Sequence, residues 1–224
     1  DNLLNNTEFK RFVDNNWIPL IYQHCVYSYN NPSKYSSSNN HLISEYAGLF
    51  IATSLWKFPE SKKWNKYAKQ GLEKEIQRQH SDDGINKEEA AEYIQFITDF
   101  FLLSYMVAEK SNNNFSNDYS VKLKDIIEYI YNFTDCNCNF PQYGDEDDGR
   151  AFILDFHEDF NNFRSLLISG AILFNEPKYK EKAGKIDQKN IILFGESGRN
   201  KYNSLNSCNT DITSKFYSED GHFI

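Results

Sequence analysis

Apolar residues three and four apart recur along almost the whole chain, and that period restricts it to a helical fold. Phe9, Phe12, Val13, Trp17, Leu20, Ile21 and His24 outline one helix. Leu42, Tyr46, Leu49, Phe50, Thr53 and Leu55 outline a second. Trp64, Tyr67, Ala68, Leu72, Glu75 and Ile76 outline a third, opened by Pro59-Glu60-Ser61. Tyr93, Phe96, Ile97, Phe100, Phe101, Tyr105 and Met106 make a fourth, and Val121, Ile126, Ile127, Ile130 and Tyr131 a fifth. Phe160, Phe163, Leu166, Leu167, Ala171 and Ile172 make a sixth, closed by Asn175-Glu176-Pro177. Shorter helices are expected around 146–155, 178–184 and 188–194. Polar loops at 28–40, 80–87, 111–119 and 136–149 separate these runs. The alternation fits antiparallel helical hairpins set side by side, and no fixed repeat length is visible.

The last stretch, TSKFYSEDGHFI, alternates apolar and polar residues around Asp220-Gly221 and reads as a strand and a tight turn. It stops at Ile224 inside the strand pattern, without an evident partner. The expectation is a helical domain over 1–208, then a linker and the first strand of a β-rich domain over 209–224.

The net charge of −8 is concentrated. Asp135, Asp145, Glu146, Asp147, Asp148, Asp155, Glu158 and Asp159 face a single base, Arg150, so residues 135–159 carry −7. The remainder sums to near neutrality, with no basic stripe of the kind nucleic acids require. Arg150 is expected to pair within the acidic patch. The run GDEDDG lacks the D-x-D-x-D-G spacing of a calcium loop and reads as a solvated turn. Of the cysteines, Cys25, Cys136, Cys138 and Cys208, only one C-x-C pair is closely spaced, with no second pair or histidine beside it, so structural thiols are expected. This sequence contains no signal-peptide pattern and no apolar run long enough to span a membrane. Aromatics make up 16 % of the chain, which suits either an aromatic core or a sugar-stacking cleft.

Two stretches carry more hydrogen-bonding capacity than a helix end requires. In SSSNNHLISEYAGLF, Asn39, Asn40 and His41 precede an apolar helix, with Glu45 four residues after the histidine. In SDDGINKEEAAEYIQF, an Asp83-Gly84 turn leads to Glu88 and Tyr93 near the start of the next hairpin. Successive hairpins bring helix starts to the same rim, so both stretches are expected to face one cleft.

These stretches, with YGDEDDGRAF, resemble the heparinase II/III family of polysaccharide lyases, including the related alginate lyases. Two positions depart from the pattern: Ala90 and Ile94 stand where the family often has Ser and His. The resemblance implies an all-α domain, an α/α toroid of helical hairpins, followed by a β-sandwich that this chain lacks. It implies cleavage of a uronate-containing glycan, glycosaminoglycan-like or alginate-like, by β-elimination, without metal or cofactor. Asn40 and His41 match the pair that meets the uronate carboxylate, and Tyr93 matches the catalytic tyrosine. Asn39 or Ser38 then caps the helix, while Glu45 and Glu88 orient His41 and the helix ends. The partners implied are an anionic uronate oligo- or polysaccharide and the β-sandwich of the same protein, with no nucleic acid. A periplasmic or secreted location follows from the same resemblance.

The residue types suit that chemistry. The C5 proton beside a charged carboxylate is too weakly acidic to leave unless donors stabilise the enolate-like charge that develops there. An asparagine amide and an imidazole supply such donors. A phenol, with an ordinary pKa near 10, can transfer a proton once its neighbours tune it. Rival readings are a noncatalytic glycan-binding or scaffolding toroid and a glycoside hydrolase, which needs two opposed carboxylates. Of the remaining histidines, His24, His157 and His222 lie outside the motifs and His80 is a reserve candidate. A further residue from the β-sandwich is expected, so the chain by itself is expected to lack lyase turnover.

Overall fold

The computed structural model describes residues 5–146, 149–206, 214–217 and 222–223. The chain divides into two compact units, the first comprising 1–72 and 103–114 and the second 73–102 and 115–224. Both are helical, as the apolar period requires.

In the first unit, α1 (Thr7–Phe12) passes through a π-helical segment (Val13–Trp17) into α2 (Ile18–Asn30). Pro19 explains the widened turn. It has no N–H to offer the carbonyl four residues back, and its ring crowds that carbonyl, so the preceding turn opens. α3 (Asn40–Leu55) packs on α2 and buries Ile43, Ala47 and Phe50 completely. α4 (Ser61–Arg78) and α5 (Ala91–Lys110) begin or end in this unit. Tyr46 of α3 meets Tyr67 of α4 edge-on at 5.3 Å.

In the second unit, α6 (Asn117–Phe133) starts at Ser116, whose hydroxyl accepts from Tyr119 N and donates to Glu73. α7 (Asn162–Phe174), capped by Asn161, packs against α6, α8 (Pro177–Ala183) and α9 (Gln188–Ser204). Much of the aromatic content lies in this core. Tyr119, Tyr129, Tyr179, Tyr202 and Tyr217 are fully buried, Phe115 stacks on Tyr119 at 4.0 Å, and Phe140 stacks on Phe163 at 4.5 Å.

Three expectations change. Residues 149–155 are not helical. Their side chains reach separate partners, as an extended segment allows: Phe152 lies under Lys189, and Asp155 accepts from the backbone of His157 and Gln188. The helix expected over 188–194 runs on to Ser204 through a kink at Gly195. The final strand has a partner: β1 (Phe216–Tyr217) pairs antiparallel with β2 (His222–Phe223), Tyr217 opposite His222. Tyr217 accepts from Asn132 of α6 at 2.8 Å, which seats β1 on this unit. The Asp220-Gly221 turn, the 209–213 linker, Cys208, Asp147, Asp148 and Ile224 lie outside the described residues.

Candidate functional site

The first candidate stretch opens α3. The Asn39 side chain caps the helix by accepting from His41 N at 3.4 Å, as expected. Asn40 is its first residue, only 7 % exposed, and its buried Oδ1 has no hydrogen-bond partner among the described residues. Leaving a buried acceptor unsatisfied costs roughly 1–3 kcal/mol. The His41 side chain reaches solvent one position later. Both carboxylate oxygens of Glu45 bind Ser33, one to its N–H at 2.8 Å and one to its hydroxyl at 2.6 Å. Glu45 therefore tethers the loop that leads into the Asn-His pair.

The second stretch belongs to the second unit. His80 is buried, with Nδ1 at 3.0 Å from Ile76 O and Nε2 at 3.3 Å from Asn86 Nδ2. A carbonyl only accepts, so Nδ1 carries the proton and Nε2 receives the amide. Burial drives the imidazole pKa down to about 3. A neutral ring with both nitrogens engaged is a poor acid or base, so His80 drops out as the reserve candidate. The following turn is locked onto α6. Lys122, 6 % exposed, donates to Ser81 O at 2.6 Å and Asp82 O at 3.0 Å. Gly84 has φ +94°, and a Cβ there would lie 2.4 Å from the Asp125 backbone. No side chain fits at that contact.

Beyond it, Asn86 Oδ1 accepts from Glu88 N at 3.0 Å, and α5 starts. Tyr93 is half-buried in its first turn, with its ring 5.3 Å from Phe96. The segment 140–144 braces this helix end. Ala91 N donates to Tyr143 O at 2.9 Å, and Glu92 accepts from Gln95 and Gln142, both at 2.5 Å. At Gly144, φ +71°, a Cβ would lie 2.1 Å from Glu89 O. Sequence reasoning placed Asn40, His41 and Tyr93 at helix starts, and the structure does so, in different units.

Glu92, Gln95, Gln142, Arg150, Phe160 and Asn162 help to line a cleft of about 920 Å³ in the second unit, beside the start of α5. Side-chain amides and a guanidinium set among rings suit a hydroxyl-rich, anionic ligand. The Arg150 guanidinium lies 5.9 Å from the Phe160 ring centre, so its observed neighbour is a ring. At the back of the cleft Asn162 donates to Asp99 at 2.9 Å and accepts from Lys189 at 2.7 Å. Lys189 and Asp99 form an ion pair at 2.6 Å with both side chains 2 % exposed. Sequence reading missed this network; the only trace was the density of amides on either side of the acidic run. Cys25, Cys136 and Cys138 are free thiols, and among the described residues no three His, Cys, Asp or Glu side chains gather as a metal site.

Residues 4–166 match the family model described as Heparinase II/III N-terminus. No curated protein matches. Among solved structures, the heparan sulfate lyase HepC from Pedobacter heparinus is 23 % identical over 74 % of this chain and 25 % of that one, with TM-score 0.56. A mutant form of HepC is 20 % identical over 90 % of this chain and 28 % of that one, with TM-score 0.60. At such identities the likeness shows the fold, the helical toroid portion. The chain spans about a quarter of the length of these structures.

Proposed function

We propose that this chain, which belongs to the heparinase II/III family, is the helical, uronate-receiving part of a polysaccharide lyase. The observation that carries the reading is the placement of Asn40 and His41 in the first turn of α3, an amide beside an exposed imidazole, the donor types that a carboxylate accepts from. Asn40 and His41 hold the uronate carboxylate of the sugar to be opened. Their donors stabilise the negative charge that spreads onto the carboxylate as the C5 proton leaves. Tyr93 transfers a proton, either taking it from C5 or giving it to the departing O4. The C4–O bond breaks as a C4–C5 double bond forms, and the leaving chain departs as an alcohol. Asn39 and Glu45 support the receptor by capping α3 and tethering its loop, and Glu88 lies at the start of the helix that presents Tyr93.

The parent lyase carries a β-sandwich after residue 208 that supplies a further acid or base, and it works in the periplasm or outside the cell. Among the described residues no helix is long and apolar enough to cross a membrane. The test is ultraviolet absorbance of the unsaturated uronate released by the parent protein from a panel of uronate polymers. Release of unsaturated product is expected from the parent and not from the 224-residue chain. Cleavage to saturated ends only identifies a hydrolase and overturns the proposal, as does binding without cleavage by the parent on every polymer.

A further inference from the structure

The near-neutral sum outside the acidic patch conceals a basic face. Nine bases stand against six acids in the first unit, a net +3, and five of the bases are lysines between positions 57 and 69. Lys62, Lys66 and Lys69 recur at i, i+4 and i+7, so they share one side of α4, while Trp64 and Ala68 fill the buried side. Like charges at that spacing repel one another along a helix, so a bound polyanion would relieve a strain already present. The three lysines line a cleft of about 470 Å³ together with Thr53, Ser54, Ser111 and Asn113.

The cleft is a built feature. Asn65 Nδ2 donates to Ser54 Oγ at 2.9 Å and Thr53 Oγ1 at 3.1 Å, and its Oδ1 accepts from Asn113 at 2.8 Å. Lys69 is fixed to Asn113 Oδ1 at 3.0 Å and Asn114 O at 2.5 Å. Its charge is thereby held in one place at the wall, while Lys62 and Lys66 stand exposed above the polar floor. The side chains lining the cleft are lysines, hydroxyls and amides, without an aromatic ring for a base to stack on, which argues against single-stranded nucleic acid. Cations alternating with neutral donors suit an anionic group flanked by sugar hydroxyls. From Lys62 to Lys69 is roughly 10 Å along the helix, a span for an oligosaccharide rather than one small anion. Thr53 lies thirteen residues along α3 from Asn40, roughly 20 Å away, so this cleft and the Asn-His pair occupy opposite ends of one helix.

We propose that the Lys62–Lys66–Lys69 cleft is a separate exosite that holds a sulfated stretch of the glycan. It rests on the uronate-glycan reading for the identity of its ligand. The test is calorimetric titration of the 224-residue chain with a heparin-derived hexasaccharide and with its desulfated, N-acetylated counterpart, at low and at raised salt. The sulfated probe should bind at least tenfold more tightly than the desulfated one, equivalent to about 1.4 kcal/mol, and weaken as salt screens the lysines. Lys62→Gln with Lys66→Gln should lose that preference, and Lys62→Arg with Lys66→Arg should keep it. All four changes are at exposed positions, and circular dichroism checks the fold. Unchanged sulfated-probe binding by the glutamine pair overturns the exosite, as does inorganic sulfate or a DNA oligonucleotide that competes as well as the hexasaccharide. Failure of the parent to release unsaturated product, by contrast, sinks the lyase reading and leaves this binding result standing.

Discussion

The two units handle charge in opposite ways. The first has net +3 and, among the described residues, buries no charged side chain; its lysines face solvent. The second has net −11, yet it buries Glu75, His80, Asp99, Lys122, Asp155 and Lys189. In the second unit these interior polar groups cross-link long loops: Lys122 clamps the 81–84 turn, Asp155 ties 155–157 to the start of α9, and Lys189 joins α9 to α5 through Asp99. A charge on the surface attracts a ligand. A charge inside fixes geometry, because leaving it unpaired is costly. On the proposed reading, the first unit holds the anion and the second mounts the proton-transfer group.

The largest expected effect tests that mount. Tyr93→Phe in the parent lyase keeps the ring and removes the phenol, so turnover should fall by roughly 10²–10⁴ with no change in thermal midpoint. Retention of most activity would remove the Tyr93 phenol from the chemistry.

Next comes the buried pair against a surface lysine. Lys189→Met leaves Asp99 uncompensated in the interior and should cost about 3–5 kcal/mol in denaturant unfolding. Lys62→Met in the first unit should change stability by no more than about 0.5 kcal/mol. Equal costs at the two positions would erase the contrast between the units.

Asn40→Ala should lower turnover by roughly 10²–10³ and leave stability nearly unaltered, since the side chain already carries an unsatisfied acceptor. A large loss of stability with little loss of rate would make Asn40 a structural cap.

The smallest effects are in pH dependence. Burial, set against the hydrogen bond to Ile76 and helped by the charge of Lys122, holds His80 down to about 3. Below the ordinary imidazole value near 6.5 the unfolded chain takes a proton that the folded chain refuses. The stability linked to His80 is therefore lost progressively as pH falls from there toward about 3. His157 behaves oppositely: its hydrogen bond and ion pair with Asp155 raise its pKa. Its contribution is complete below the ordinary imidazole value and fades as pH rises through the raised one. Burial pushes the Asp155 pKa up, but the hydrogen bonds from His157 and Gln188 leave it below the usual carboxylate range, so acid removes its share only below that range. Side-chain NMR at pH 5 should show His80 neutral with the proton on Nδ1 and His157 charged. A protonated His80 at that pH would mean that the loop over it is open.

The parts of the fold that were legible in the sequence are those written in a local period. The helices around Phe9, Leu42, Trp64, Tyr93, Val121 and Phe163 follow from apolar spacing, and the Asp83-Gly84 turn and the Asn39 cap from neighbouring residues. The helix expected at 146–155 failed because its residues make their contacts singly, with Lys189, His157 and Gln188. The charge sum misled for a related reason: bases of the first unit were cancelled against acids of the second.

By itself the sequence determined the helical class, the helix starts that carry Asn40, His41 and Tyr93, and the family motifs. Only the tertiary structure decided that Asn40 is buried with an acceptor unmet among the described residues, that His80 is neutral and engaged, and that Lys122 and Lys189 are interior. The physical reason is range. A helix is specified by residues three and four apart, whereas the groups that neutralise or satisfy a buried charge stand 41 residues away for Lys122 and 90 for Lys189, and nothing in the local pattern marks them.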